Sequence, residues 1–140
     1  IAGFMVANDV SVRDWQILSP TFTLGNSFAT HGPIAPWIVT SDEIADPHNL
    51  HVQTWVNDEQ RQSFNTGEMI FNCFEQIEYL STVMTLEPGD IISTGTGSGV
   101  GVKMKTRGNM KAGDRVRMEI EGIGTLENSV VEEPESTTCF

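Results

Sequence analysis

The sequence predicts an α+β fold, predominantly β, and three observations predict it. Several short segments alternate apolar and polar residues at period two. One stretch carries the three- and four-residue spacing of an amphipathic helix, and clusters of Gly, Pro, Asn and Asp punctuate the chain between these segments. With 140 residues, 39% of them hydrophobic, the chain is long enough to bury one core without disulfides or metal to hold it. No Ser- or Pro-rich linker and no repeat of solenoid length divides it.

In chain order, residues 3–7 read as a strand, followed by a polar turn and a loop rich in Gly, Pro, Ser and Thr that extends to residue 36. Loops this long inside a domain are usually functional or mobile. Residues 37–40 form a short apolar run expected as a strand. Leu50, Val52, Thr54 and Val56 alternate, and Asn57-Asp58-Glu59 turns the chain into residues 61–64, which predicts a β-hairpin. The helix is expected over residues 73–84, with Phe74, Ile77, Leu80, Val83 and Met84 on one face. Asn72 and Glu75 have the spacing of a capping box at its start. Pro88 and Gly89 form a turn, and Ile91 and Ile92 are expected to be a short strand entering a glycine-rich stretch. A second turn at Lys111-Ala-Gly-Asp114 leads into Val116, Met118 and Ile120 at period two. A break at Gly122-Ile-Gly124 precedes a strand expected over 125–131, and residues 132–140 read as a frayed tail.

Eight Lys and Arg stand against nineteen Asp and Glu, a net charge of −11. Phosphate binding needs clustered cations, so the balance argues against nucleic acid and against an anionic membrane surface. No apolar run approaches the ~18 residues that span a bilayer, and no signal-peptide pattern opens the chain, so a cytoplasmic location is expected. Cys73 and Cys139 lack ligand spacing, and a disulfide between them is disfavoured.

Two segments hold candidate chemistry. The stretch Ser93-Thr-Gly-Thr-Gly-Ser-Gly-Val-Gly101 lets backbone approach a ligand closely, but it lacks the Gly-Lys-Ser or Gly-Lys-Thr of a phosphate loop. It reads either as a surface loop or as a backbone-lined pocket with Thr94 or Thr96 as hydroxyl donor. Asn8-Asp-Val-Ser-Val-Arg-Asp14 places two carboxylates and a guanidinium just after a strand. Asp9 either ligates a hard divalent cation or caps a helix while Arg13 pairs with Asp14. His31 lies in the long loop, His48 and His51 are expected to be solvated, and Trp15, Trp37 and Trp55 are expected to be packing residues. No nucleophile elbow, zinc-protease pattern or Cys cluster is present.

Ordered blocks then carry a family resemblance. Val6-Ala-Asn-Asp-Val-Ser-Val-Arg-Asp-Trp-Gln16, Phe22-Thr-Leu-Gly-Asn-Ser-Phe28, Gly32-Pro-Ile-Ala-Pro-Trp37, Trp55-Val-Asn57, Arg61-Gln62, Met69-Ile-Phe71, Leu86-Glu-Pro-Gly-Asp-Ile-Ile-Ser-Thr-Gly-Thr96 and Glu119-Ile-Glu-Gly-Ile-Gly124 are similar to the C-terminal part of the fumarylacetoacetate hydrolase family. Their wording most resembles bacterial members acting on 2,4-diketo acids. The resemblance implies a mixed β-sandwich roll, incomplete at the N-terminus, with residues 1–131 as the C-terminal part of a catalytic domain. It implies a homodimer, and Mg²⁺ or Mn²⁺ as cofactor in hydrolysis of a carbon–carbon bond in a small diketo acid, an acylpyruvate or a deoxy-sugar derivative. By the same resemblance Asp9 is a metal ligand, Thr30 lies near a second cation, and Arg13, Gln16, Asn26 and Thr96 bind substrate.

Two positions depart from the family pattern. Asn26 stands where most members have Lys, which removes a cation from the substrate site, and Gly97 stands where Pro is usual, which predicts a less rigid loop. The family's Glu-x-Glu pair and its catalytic His and Glu lie upstream of the Asp9 block, so the chain as given is expected to be inactive and to expose apolar surface. Two alternatives remain: a non-catalytic module that binds a small carboxylate or dimerises, and an isomerase or decarboxylase of the same family.

Overall fold

The computed structural model describes residues 1–104 and 108–133. The expected tail beyond residue 133, and Cys139 with it, lies outside the described residues. Strands β1 (Gly3–Ala7) and β2 (Ile34–Thr40) pair antiparallel as a two-stranded sheet. A second antiparallel sheet has the order β4-β3-β5-β6, from β3 (His51–Val56), β4 (Glu59–Asn65), β5 (Arg115–Ile120) and β6 (Gly124–Ser129). Two helices are added, α1 (Arg13–Gln16) and α2 (Cys73–Ser81).

The period-two reading accounts for the core. On β5, Val116 and Met118 are buried, whereas Arg115 and Glu119 face solvent. Leu126 of β6 and Ile123 of the preceding turn join them, and Val6 and Val39 arrive from the small sheet to close the cluster with Ile44. The two sheets therefore pack face to face around one apolar layer. The mixed β-sandwich roll expected from the resemblance is the observed architecture.

Several boundaries differ from the sequence reading. Strand β2 starts at Ile34 and runs through Pro36, which an edge strand tolerates because β2 pairs only with β1. Helix α2 begins as expected, with Asn72 Oδ1 accepting from Phe74 N and Glu75 N and Glu75 Oε2 accepting from Asn72 N. It stops at Ser81, not residue 84, because Ser81 Oγ donates to Glu78 O and Thr82 Oγ1 to Tyr79 O, which competes with the helical ladder. Its predicted apolar face is largely uncovered: Ile77 and Leu80 are half-buried, but Phe74 is 61% exposed and Val83 and Met84 are exposed too.

Ile91 and Ile92 do not form the expected strand, because two apolar residues without a ladder partner have nothing to pair with among the described residues. Strand β6 ends at Ser129 rather than residue 131. The tryptophans are less buried than expected. Trp37 is 63% exposed and Trp15 is exposed, while Trp55 is half-buried beneath the Arg117 guanidinium, 4.0 Å from the ring centre. His48 is not solvated as expected. The start of α2 packs on it, so its Nε2 accepts from Cys73 N at 3.0 Å and its ring meets Phe74 edge-on. His51 is exposed, as expected, with Ser63 Oγ 3.1 Å from its Nε2. Burial pushes the Cys73 thiol up.

Candidate functional site

The long loop after β1 is ordered by its own backbone. Asn8 N donates to Pro33 O and Val10 N to His31 O, which closes the base of the loop, and Val12 N donates to Gly25 O at 2.8 Å. Within it, α1 and a 3₁₀ turn at Thr23–Asn26 lie against each other. Gly25 makes this approach possible, because a Cβ there would stand 2.5 Å from Gln16 Cβ and 2.6 Å from its Cα.

That packing carries Asn26 to Asp9. Asn26 Nδ2 donates to Asp9 Oδ1 at 2.7 Å and to Ser11 Oγ at 3.0 Å. Arg13 Nη1 donates to Gln16 Oε1 at 2.6 Å, one helical turn away. Asp9 does not cap α1, whose N-cap is Val12 with no side-chain bond, and Asp14 accepts from Trp15 N instead of pairing with Arg13. Neither structural alternative for this segment is therefore realised. Asp9, Arg13, Gln16 and Asn26 all stand on one short stretch of packed loop.

Thr30 is exposed, 3.2 Å through its hydroxyl from His31 Nδ1, and no hydrogen bond ties it to Asp9 among the described residues. His31 packs against Phe28, which meets Trp15 edge-on at 5.6 Å. Thr96 is held from a different element. Gln62 of β4 reaches into the glycine-rich loop, and its Nε2 contacts Thr96 Oγ1 at 2.9 Å, Ser98 O at 3.1 Å and Gly97 O at 3.2 Å. No hydrogen bond joins Thr96 to Asp9, Arg13, Gln16 or Asn26 among the described residues, so Thr96, like Thr30, is held separately from the segment that carries those four. The sequence alone does not single out Gln62, which stands only within the Arg61-Gln62 block. Its signal is the pair of loop carbonyls at Gly97 and Ser98, which need donors from a neighbour.

Mg²⁺ and Mn²⁺ call for about six oxygen ligands. Among the described residues no group of three His, Cys, Asp or Glu side chains converges. Asp9 offers one carboxylate, so the described residues alone do not fit such an ion. A cleft of about 710 Å³ between β2 and the β5–β6 turn, lined by Trp37, Glu43, His51, Glu119 and Glu121 among others, contains none of the predicted site residues.

A family model described as the C-terminal domain of fumarylacetoacetate hydrolase matches residues 1–131. This chain belongs to the fumarylacetoacetate hydrolase family. A mitochondrial oxaloacetate tautomerase of Bos taurus is 49% identical over 133 residues, covering 94% of this chain and 42% of that protein. A fumarylacetoacetate hydrolase from Exiguobacterium antarcticum superposes with a TM-score of 0.91 at 41% identity, over 94% of this chain and 47% of that one. A 2-hydroxyhepta-2,4-diene-1,7-dioate isomerase from Mycobacterium marinum gives 0.83 at 42% identity, over 94% and 48%. The chain thus spans less than half the length of these family members. The family includes hydrolases, isomerases and tautomerases, so membership establishes an enzyme family and leaves the reaction to the site.

Proposed function

We propose that this chain supplies the Asp9 and Thr96 portions of an active site that hydrolyses a carbon–carbon bond in a small 2,4-diketo acid, an acylpyruvate or a deoxy-sugar-derived acid. The proposal includes Mg²⁺ or Mn²⁺, bound by Asp9 together with ligands outside the described residues, which would supply Lewis-acid chemistry. The observation that carries the reading is Asn26 fixing one oxygen of Asp9, while Oδ2 has no hydrogen-bond partner among the described residues and would meet the cation. Arg13 holds the Gln16 carbonyl oxygen, so the Gln16 amide nitrogen is turned outward as a donor. Thr96 offers a hydroxyl, and together these donors suit the acceptor-only oxygens of a keto acid.

A second reading is tautomerisation between keto and enol forms, favoured by the 49% identity to an oxaloacetate tautomerase. Asn26 bears on the choice, because a neutral amide gives less to a developing enolate than an ammonium would, a difference of about 1.5–3 kcal/mol for a charged contact. A homodimer in the cytoplasm completes the proposal, beside relatives whose names place them in mitochondria.

The test joins this sequence to the remaining half of the Exiguobacterium hydrolase and follows an acylpyruvate by ultraviolet absorbance in excess Mg²⁺. The expected result is turnover that yields two acids and falls at least about 100-fold in Asp9→Ala, as for loss of a metal ligand. Turnover indifferent to Asp9→Ala would sink the proposal, and an unchanged carbon skeleton would move it to the tautomerase reading. The isolated chain, with one carboxylate, is expected to show no turnover.

A further inference from the structure

We infer that Gln62 is a positioning residue that turns the Thr96 hydroxyl proton toward the ligand. This rests on the reading that Thr96 faces the substrate. The inference starts from direction. Gly97 O and Ser98 O can only accept, so the side of the Gln62 amide that meets them is its nitrogen. The same nitrogen lies 2.9 Å from Thr96 Oγ1; its two protons are shared among the three acceptors, and because an amide nitrogen does not accept, the threonine oxygen is the acceptor at that contact. A hydroxyl has one proton, and that proton is thereby directed away from Gln62. No side chain or carbonyl among the described residues takes it. Thr96 is exposed, and the proton is presented to whatever occupies the space beyond the loop.

The packing holds this orientation. Gln62 and Phe64 lie two residues apart on β4 and face the loop together. A Cβ on Gly97 would stand 2.5 Å from the Phe64 ring, and one on Gly99 would run into the carbonyl of Arg61. The loop thus lies flat on β4 at two glycines and is tied by one amide between them. A hydroxyl so fixed favours an acceptor-only oxygen, that of a carboxylate or enolate, over a donor such as an amide or ammonium.

Oxalate is the probe, titrated in excess Mg²⁺ into the isotopically labelled chimera with the remaining half of the Exiguobacterium hydrolase and followed through the Thr96 amide and methyl NMR signals. Gln62→Met removes the donor without adding charge and is expected to weaken oxalate about tenfold, in line with loss of one hydrogen bond to a charged group. Thr96→Ser is expected to keep the wild-type affinity. In a Thr96→Val background Gln62→Met is expected to have no further effect, because the two residues act through one hydroxyl. Should Gln62→Met fail to fold, Gln62→Leu, which likewise removes the donor without adding charge, runs the same cycle. Equal weakening with and without the Thr96 hydroxyl, or no weakening at all, overturns the positioning role while leaving the functional reading standing. A chimera with no substitution at Gln62 or Thr96 whose Thr96 signals ignore oxalate overturns that reading and the positioning role with it.

Discussion

Asn26 serves Asp9 and Ser11 with a single amide nitrogen, whose two protons suffice for both acceptors. Lysine, which the family resemblance leads one to expect here, would set an ammonium against the same carboxylate and carry positive charge toward the substrate. Asn26→Lys in the chimeric enzyme is therefore expected to raise kcat/KM for an acylpyruvate about tenfold or more, the scale of one charge-assisted contact. Unchanged kcat/KM would show that the amide does the same work as the cation. Asp9, Arg13, Gln16, Asn26 and Thr96 are candidates through the ordered motif blocks, which carry residue identity but no direction. That Asn26 donates to Asp9, and Gln62 to Thr96, depends on contacts across 17 and 34 residues of chain, which no local pattern encodes.

Between elements, the β3–β4 turn and the turn before β5 are locked together. Asn57, at a left-handed φ of 55°, donates through Nδ2 to Asp114 Oδ1 and accepts through Oδ1 from Arg115 N, while Lys111 N donates to Asp114 Oδ2. The Asn57 amide, then the Lys111 backbone amide, holds the Asp114 carboxyl below its ordinary value. A carboxyl lowered on folding stabilises the fold fully above its unfolded value, and that contribution is lost as pH falls through the lowered one. Urea titrations between neutral and strongly acidic pH should therefore show a smaller acid loss of stability in Asp114→Asn than in the wild type. An identical pH dependence would mean the link contributes nothing. Strands β1, β3 and β5 and the capped start of α2 were readable because alternation and capping are local. The end of α2 and the failure of residues 91–92 to pair were not, since hydroxyl competition and the lack of a neighbouring strand decide them. The α1 turn inside the long loop was missed because four residues carry too short a period to register.

For the molecule as a whole, accessible area is the informative quantity. The chain exposes 10242 Å², whereas a compact monomer of 15.4 kDa exposes about 7,200 Å². Ile70 at 89%, Ile38 at 58% and the outer side of α2 contribute to the excess. Apolar side chains exposed in this number mark surfaces that associate. Sedimentation of the isolated chain should show mass rising with concentration, and the paired change Trp37→Lys and Ile38→Lys should reduce it. A monomer at every concentration would overturn that expectation.

The small core also sets how the chain comes apart. The steepness of a denaturant transition and the heat capacity of unfolding both scale with the surface that unfolding newly uncovers. Val6, Val39, Ile44, Val116, Met118, Ile123 and Leu126 are the only members of the buried cluster among the described residues, and much of the remaining apolar surface is already in contact with water. Unfolding the isolated chain therefore wets little that is not wet already. Its melting is expected to be broad, its response to urea shallow, and its stability nearly flat with temperature compared with a well-filled domain of the same length.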